Sequence, residues 1–178
     1  MKCVVGVDPS LTGTGIAVRP SGGQDIKLDT LSARNKLGHD RMKFIVDSVY
    51  TTISAYGANL VIIEGPSYGS QGTGSGHHER AGLWWMITHQ VWRAGIPIAV
   101  VPPTCVKKFA TGKGNAGKDL IMLEVSRRFP WFYGDNNAAD ALLLCAMGAQ
   151  WLGEPIINMP KVHLAGLEKV KWPEEVVA

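Results

Sequence analysis

Lys2-Cys3-Val4-Val5-Gly6-Val7-Asp8-Pro9-Ser10-Leu11-Thr12-Gly13-Thr14-Gly15 is the stretch that decides the fold. A run of β-formers ends on a carboxylate, and Pro9, Ser10, Gly13 and Gly15 then supply turn chemistry. The spacing predicts a strand closing at Asp8, a tight turn, and a second strand beginning over Ile16 to Val18. Pro20 to Gly23 reads as another turn, and Asp25 to Leu31 alternates polar and apolar residues as a half-buried third strand does. Three antiparallel strands therefore open the chain.

Beyond them, Phe44, Ile45, Val49, Ile53 and Tyr56 recur at helical spacing from Asp40 onward, and Gly57 stands where a helix stops. Leu60 to Ile63 is wholly apolar, the pattern of a central strand covered on both faces, and it too ends on a carboxylate, Glu64. A glycine- and serine-rich loop, Gly65 to Gly76, leads into a second helix over Glu79 to Ala94. Ile96 to Val101 is a fifth strand ended by Pro102-Pro103, followed by a short basic helix, the loop Gly112 to Gly117, and a helix from about Lys118 to Arg128. Ala138 to Leu152 is apolar nearly all round, the mark of a buried helix, with Asp140 placed in its first turn. The expected architecture is α/β: a mixed five-stranded sheet flanked by helices, built from residues 1–153. Residues 154–178 form a tail with three prolines and no clear period.

The chain has 178 residues, 46% of them hydrophobic and 19% charged, enough for one domain with a sizeable core. No apolar run reaches membrane-spanning length and no signal-peptide pattern opens the chain, so a cytoplasmic protein is expected. Cys3, Cys105 and Cys145 are widely spaced, and neither a disulfide framework nor a zinc site is expected. Between Pro102 and Arg128, six basic residues face only Asp119 and Glu124, a local balance of +4 in a chain of net charge +3. Such a concentration marks a candidate phosphate-binding surface or a solvated face.

Asp8, Glu64 and Asp140 carry the chemical argument, because all three border the apolar core. A carboxylate there is costly to desolvate unless a cation or hydrogen bonds compensate it. Their convergence on one sheet edge points to a site for divalent metal. Mg²⁺ is the natural occupant, since it takes a few carboxylates and keeps water and phosphate oxygens as its other ligands. Two such ions support in-line phosphodiester hydrolysis, and Mn²⁺ is expected to substitute. The plain structural alternative makes Asp8 a turn residue and Asp140 a helix-start acid favoured by the macrodipole.

Gly6-Val7-Asp8-Pro9-Ser10, Thr12-Gly13-Thr14-Gly15, Ile62-Ile63-Glu64, Pro102-Pro103-Thr104-Cys105-Val106-Lys107, Thr111-Gly112-Lys113-Gly114-Asn115-Ala116-Gly117-Lys118 and Ala138-Ala139-Asp140-Ala141-Leu142 occur in this order. In them the chain resembles the RuvC-type Holliday junction resolvases of the RNase H-like superfamily over roughly residues 2–152. That resemblance implies an RNase H-like fold, Mg²⁺-dependent cleavage of four-way DNA junctions, and a two-fold symmetric homodimer. It makes Asp8, Glu64 and Asp140 metal ligands, and Lys107 and Lys118 the basic residues at the scissile region. With Lys108 and Lys113 they make up the DNA-binding set, together with Tyr68 as the local candidate for the family's aromatic wedge.

The family usually carries Asp or His three residues before its last Asp, and this chain has Asn137 there. Asp135 from the preceding loop, or Asn137 through its neutral carbonyl, is the expected fourth ligand, and Asp135 has a competing reading as a helix cap. This divergence from the bacterial pattern points to a phage-encoded member acting in the host cytoplasm. The helix bearing Trp84, Trp85 and Trp92 is either the dimer interface or ordinary core.

Several rivals are weaker. Gly112 to Lys118 fits the G-x-x-x-x-G-K phosphate loop, but Asp119 replaces the Ser or Thr that binds magnesium, and no strand immediately precedes it. Asp8 to Gly15 also resembles the first phosphate loop of sugar kinases and actin-like ATPases, which duplicate the fold and are far longer. A junction-binding protein without activity is a third possibility, resting on Asn137. His77 and His78 are adjacent in sequence, a poor arrangement for one ion.

Overall fold

The computed structural model describes residues 1–23, 25–66 and 76–176. Strands β1 (Val4–Asp8), β2 (Gly13–Arg19), β3 (Lys27–Ser32), β4 (Leu60–Glu64) and β5 (Ile98–Val101) form one sheet in the order β3-β2-β1-β4-β5. The first three strands are antiparallel; β4 and β5 run parallel to β1. The helices are α1 (Gly38–Ala55), α2 (His77–Arg93), α3 (Pro103–Thr111), α4 (Lys118–Arg128), α5 (Asn136–Trp151) and α6 (Lys161–Leu164).

Strand alternation sorts the core into two layers. Cys3 just before β1 and Val5 and Val7 within it, with Val61 and Ile63 of β4, pack under α1 and α2. Val4 and the β4 residues Leu60 and Ile62 face α3, α4 and α5 instead. Every Ala, Leu, Cys and Met of α5 is buried, so the all-round apolar reading of that helix holds, and the sheet and the flanking helices enclose it.

Sequence and structure part at β2. Gly13 to Gly15, expected as turn, is paired strand: Gly13 lies opposite Ser32, and Gly15 lies between Asp8 and Thr30. These glycines permit close approach rather than a bend. A Cβ on Gly15 would stand 2.0 Å from the Asn137 carbonyl oxygen, and one on Gly6 would stand 2.2 Å from that of Ala141. Helix α5 therefore lies on the bare backbone of β1 and β2. β5 starts two residues later than expected, after Gly95 in the left-handed region (φ 71°) and Pro97, which has no N–H to give a ladder.

The segment after Gly153, to which the sequence assigns no element, packs into the same core. Glu154 accepts from the buried Arg19 guanidinium (2.6 Å), Trp172 stacks on Trp151 (centroids 4.9 Å apart), Val170 is buried, and Lys171 bridges to Val100 of β5. Its apolar residues are scattered among prolines, so no period announces them. The three cysteines are buried and free, and no described helix is long and apolar enough to cross a membrane.

Candidate active site

Register builds the site. Parallel pairing sets Val4 beside Leu60 and Gly6 beside Ile62, so Asp8 and Glu64, two positions on, stand side by side at the strand ends and face α5. The turn after Asp8 is closed by Thr14, whose hydroxyl donates to the Ser10 carbonyl (2.8 Å) and accepts from the Ser10 amide (3.2 Å). Trp84 of α2 donates its indole N–H to the Glu64 carbonyl (2.9 Å), and the Gly65 amide donates to Val101 (2.8 Å). These contacts hold the ends of β1 and β4. Trp84, named from sequence only as an interface or core residue, thus supports a site residue through its backbone.

Asp140 completes the group from α5. It lies in the second turn of the observed helix, which has no acid in its first turn, so the macrodipole does not explain it. The Asp8 and Glu64 side chains lie within hydrogen-bonding reach of each other, so their titrations are linked. Burial, then the neighbouring Glu64 and Asp140 charges, raise Asp8 well above the usual carboxylate range. Burial and Asp140 bring Glu64 to about 7, against the Asp8 hydrogen bond, Lys107 and Lys118; burial brings Asp140 to about 6, against the same two lysines. Lys107 on α3 and Lys118 at the start of α4 therefore both act electrostatically on Glu64 and Asp140. Lys108 acts on the Cys105 thiol, and Lys113 lies exposed in the loop joining the two helices.

Among the described residues, no three His, Cys, Asp or Glu side chains stand at metal-holding geometry. Their chemistry fits a divalent cation nonetheless. One buried and two half-buried acids whose protons are all held above the usual carboxylate range are the group a hard cation would deprotonate.

The raised values carry a sign. A group whose folded pKa lies above its unfolded one stabilises the fold fully below the unfolded pKa, and that contribution is lost as pH rises through the folded pKa. For Glu64 and Asp140 the window runs from about pH 4 to 7. The metal-free protein should melt at lower temperature at pH 8 than at pH 5, and Mn²⁺ should raise the melting temperature more at pH 8. Calorimetry in chelator and in Mn²⁺ checks both; a stabilisation by Mn²⁺ independent of pH contradicts the assignment.

Asp135, expected as a fourth ligand, is not brought to the cluster. It is the N-cap of α5: one oxygen accepts from the Ala138 amide (2.9 Å) and the Thr30 hydroxyl (2.8 Å), and the other from the Asn137 amide group (3.3 Å). Burial is the largest single influence and raises its pKa, but those bonds together outweigh it and hold the carboxyl below its usual value. Asp135→Ala should cost about 1 kcal/mol of stability, as cap removal does, and leave the metal affinity of the protein unchanged; calorimetry and metal titration read the two effects. Asn137 lies over Gly13 and Gly15 on the face of Asp140, next to the cluster. Tyr68 lies outside the described residues.

The rival readings meet the topology. The Gly112 to Lys118 stretch joins α3 to α4, with helix rather than strand before it, and Gly112 is the left-handed C-cap of α3 (φ 77°). His77 and His78 are exposed in the first turn of α2 rather than in a loop. Of the tryptophans, Trp84 turns inward, whereas Trp85 and Trp92 are 67% and 69% exposed, with Met86 beside them at 45%.

A mixed sheet in this order, with acids at the adjoining ends of β1 and β4 and on the helix laid across them, defines an RNase H-like domain. The chain belongs to the crossover junction endodeoxyribonuclease RuvC family, whose model matches residues 4–146. It is 33% identical to the RuvC of Salinibacter ruber over 150 residues, covering 80% of this chain and 83% of that one. Among solved structures it is similar to Thermus thermophilus RuvC in complex with a Holliday junction substrate (TM-score 0.66, 20% identity, 87% of this chain and 98% of that chain). It is also similar to the yeast mitochondrial Holliday junction resolvase (TM-score 0.55, 10% identity, 85% and 79%). The structural likenesses bear on the fold.

Proposed function

We propose that this chain is a Mg²⁺-dependent endonuclease that resolves four-way DNA junctions. The observation that carries the reading is the Asp8–Glu64–Asp140 cluster, with Lys107 and Lys118 bearing on it, in a chain of this family. Asp8, Glu64 and Asp140 would hold the metal, and Asn137 is the nearby neutral oxygen donor. Bound Mg²⁺ would supply activation of a water and charge stabilisation on the phosphodiester.

The residues of the chain do the rest. Lys107 and Lys118 neutralise charge accumulating on the scissile phosphate, and once the carboxyls have lost their protons they also balance the acids. Lys108 and Lys113 bind flanking phosphates, a sequence-independent attraction weakened by salt.

A four-way junction offers two equivalent strands, which a two-fold homodimer matches. The exposed face of Trp85, Met86 and Trp92 on α2 supports an interface there, since large apolar patches rarely face water unpartnered. The test is nicking of synthetic four-way junction, fork and linear duplex side by side in Mg²⁺, Mn²⁺ or chelator. Nicking confined to the junction and abolished by chelator is expected. Equal cutting of duplex would refute resolution, and binding without cutting in any metal would leave a junction-binding protein.

A further inference from the structure

His163 is 6% exposed, lies in the segment after the family-matched residues, and joins three helices. Its Nε2 lies 3.2 Å from Nη2 of Arg128 at the end of α4, and its Nδ1 lies 2.8 Å from the Phe109 carbonyl on α3. A guanidinium only donates and a carbonyl only accepts, so Nε2 presents its lone pair and Nδ1 carries the hydrogen. Both ring nitrogens are committed. Arg128 is itself held by Glu124 of the same helix (3.0 Å), and a Cβ on Gly166 would stand 2.8 Å from both the Cys105 carbonyl oxygen and the Phe109 nitrogen. The tail backbone is thus seated directly on α3.

We propose that His163 is a positioning residue for cleavage, fixing α3 against α4 and so fixing Lys107 relative to Lys118. Each of these helices carries one of the two lysines that bear on the acids, and each is gripped by one nitrogen of a single ring. Lys118 and Arg128 are the two ends of α4, so a rotation allowed at Arg128 moves the lysine at the far end. The Lys107 side is shorter: Phe109 is two residues along the same helix. The ring is buried, and its hydrogen bonds go to Arg128 and Phe109 rather than to the acids or the two lysines. Its effect on catalysis runs through the lysines.

The inference rests on the proposed nuclease reading, and the assay separates the two, because the wild-type chain must first cleave the junction. The rate is measured in single turnover, with enzyme in excess over a labelled four-way junction in Mg²⁺, and junction affinity is measured separately in Ca²⁺. His163→Asn and Arg128→Gln, which each leave part of the network standing, are expected to slow cleavage by about tenfold with affinity within about twofold. In a Lys118→Ala background the same substitutions should cost less than about twofold, because the lysine through which they act is gone. His163→Ala should slow cleavage at least as much as His163→Asn. Rates equal to wild type in both the Asn and Gln variants would overturn the proposal. So would an undiminished loss in the Lys118→Ala background, which marks a merely structural residue. Failure of the wild-type chain to cut any junction would instead refute the nuclease reading.

Discussion

Asp8→Asn is expected to lower junction cleavage on the order of a thousandfold or more, since metal-held charge stabilisation contributes several kcal/mol to such a reaction. Binding should survive. Asp8 stands among acids on a surface that must accept phosphates, so removing its charge should leave junction affinity equal or tighter. Stability should move the other way from activity. Burial and two neighbouring carboxyls raise Asp8 well above its ordinary value, so its ionised form destabilises the metal-free fold near neutrality, and a neutral amide of the same shape relieves that. The metal-free variant should therefore melt above the wild type at pH 8 while cutting nothing. Cleavage, gel-shift affinity and melting temperature read the three effects. Retained cleavage within about tenfold, or a lower melting temperature, contradicts the role given to Asp8.

Gly6→Ala and Gly15→Ala carry the second large effect. A methyl at Gly6 would meet backbone atoms of α5, the Ala141 oxygen at 2.2 Å and the Cys145 nitrogen at 2.5 Å; at Gly15 it would meet the Asn137 oxygen at 2.0 Å. Backbone does not swing aside as a side-chain tip does, so the helix must lift from the sheet. Overpacking of this kind costs about 3 kcal/mol or more. In a domain of this size that is a fall in melting temperature of roughly 6 to 12 °C, or failure to fold. The lifted helix carries Asp140, so any folded fraction should also lose metal affinity. Alanine at Gly22, where nothing lies within 4 Å, is the matched control and should be nearly silent. A Gly6→Ala protein as stable as the control would mean that α5 does not rest on β1.

These glycines also mark the limit of what the sequence discloses. Val4 to Asp8 and Leu60 to Glu64 were legible as strands ending on acids, because β-formers in short apolar runs have few other uses. The burial of α5 was legible for the same reason. Gly13 and Gly15 were not, since glycine marks both a turn and a close backbone contact, and only the position of α5 distinguishes them. Asp135 had two readings of similar weight, and the structure takes the cap, where its oxygens meet Ala138, Thr30 and Asn137. His163 shows no ligand spacing in the sequence and nothing there selects it: a lone histidine among prolines has no period to read, and its partners lie 35 and 54 residues away.

The most direct test of the central claim is anomalous scattering from crystals grown with Mn²⁺ and a four-way junction. The account predicts a peak bounded by the carboxylates of Asp8, Glu64 and Asp140, with the Asp8–Glu64 contact replaced by bonds to the ion. Manganese found elsewhere, with Asp8 and Glu64 still in contact with each other beside bound DNA, would contradict it.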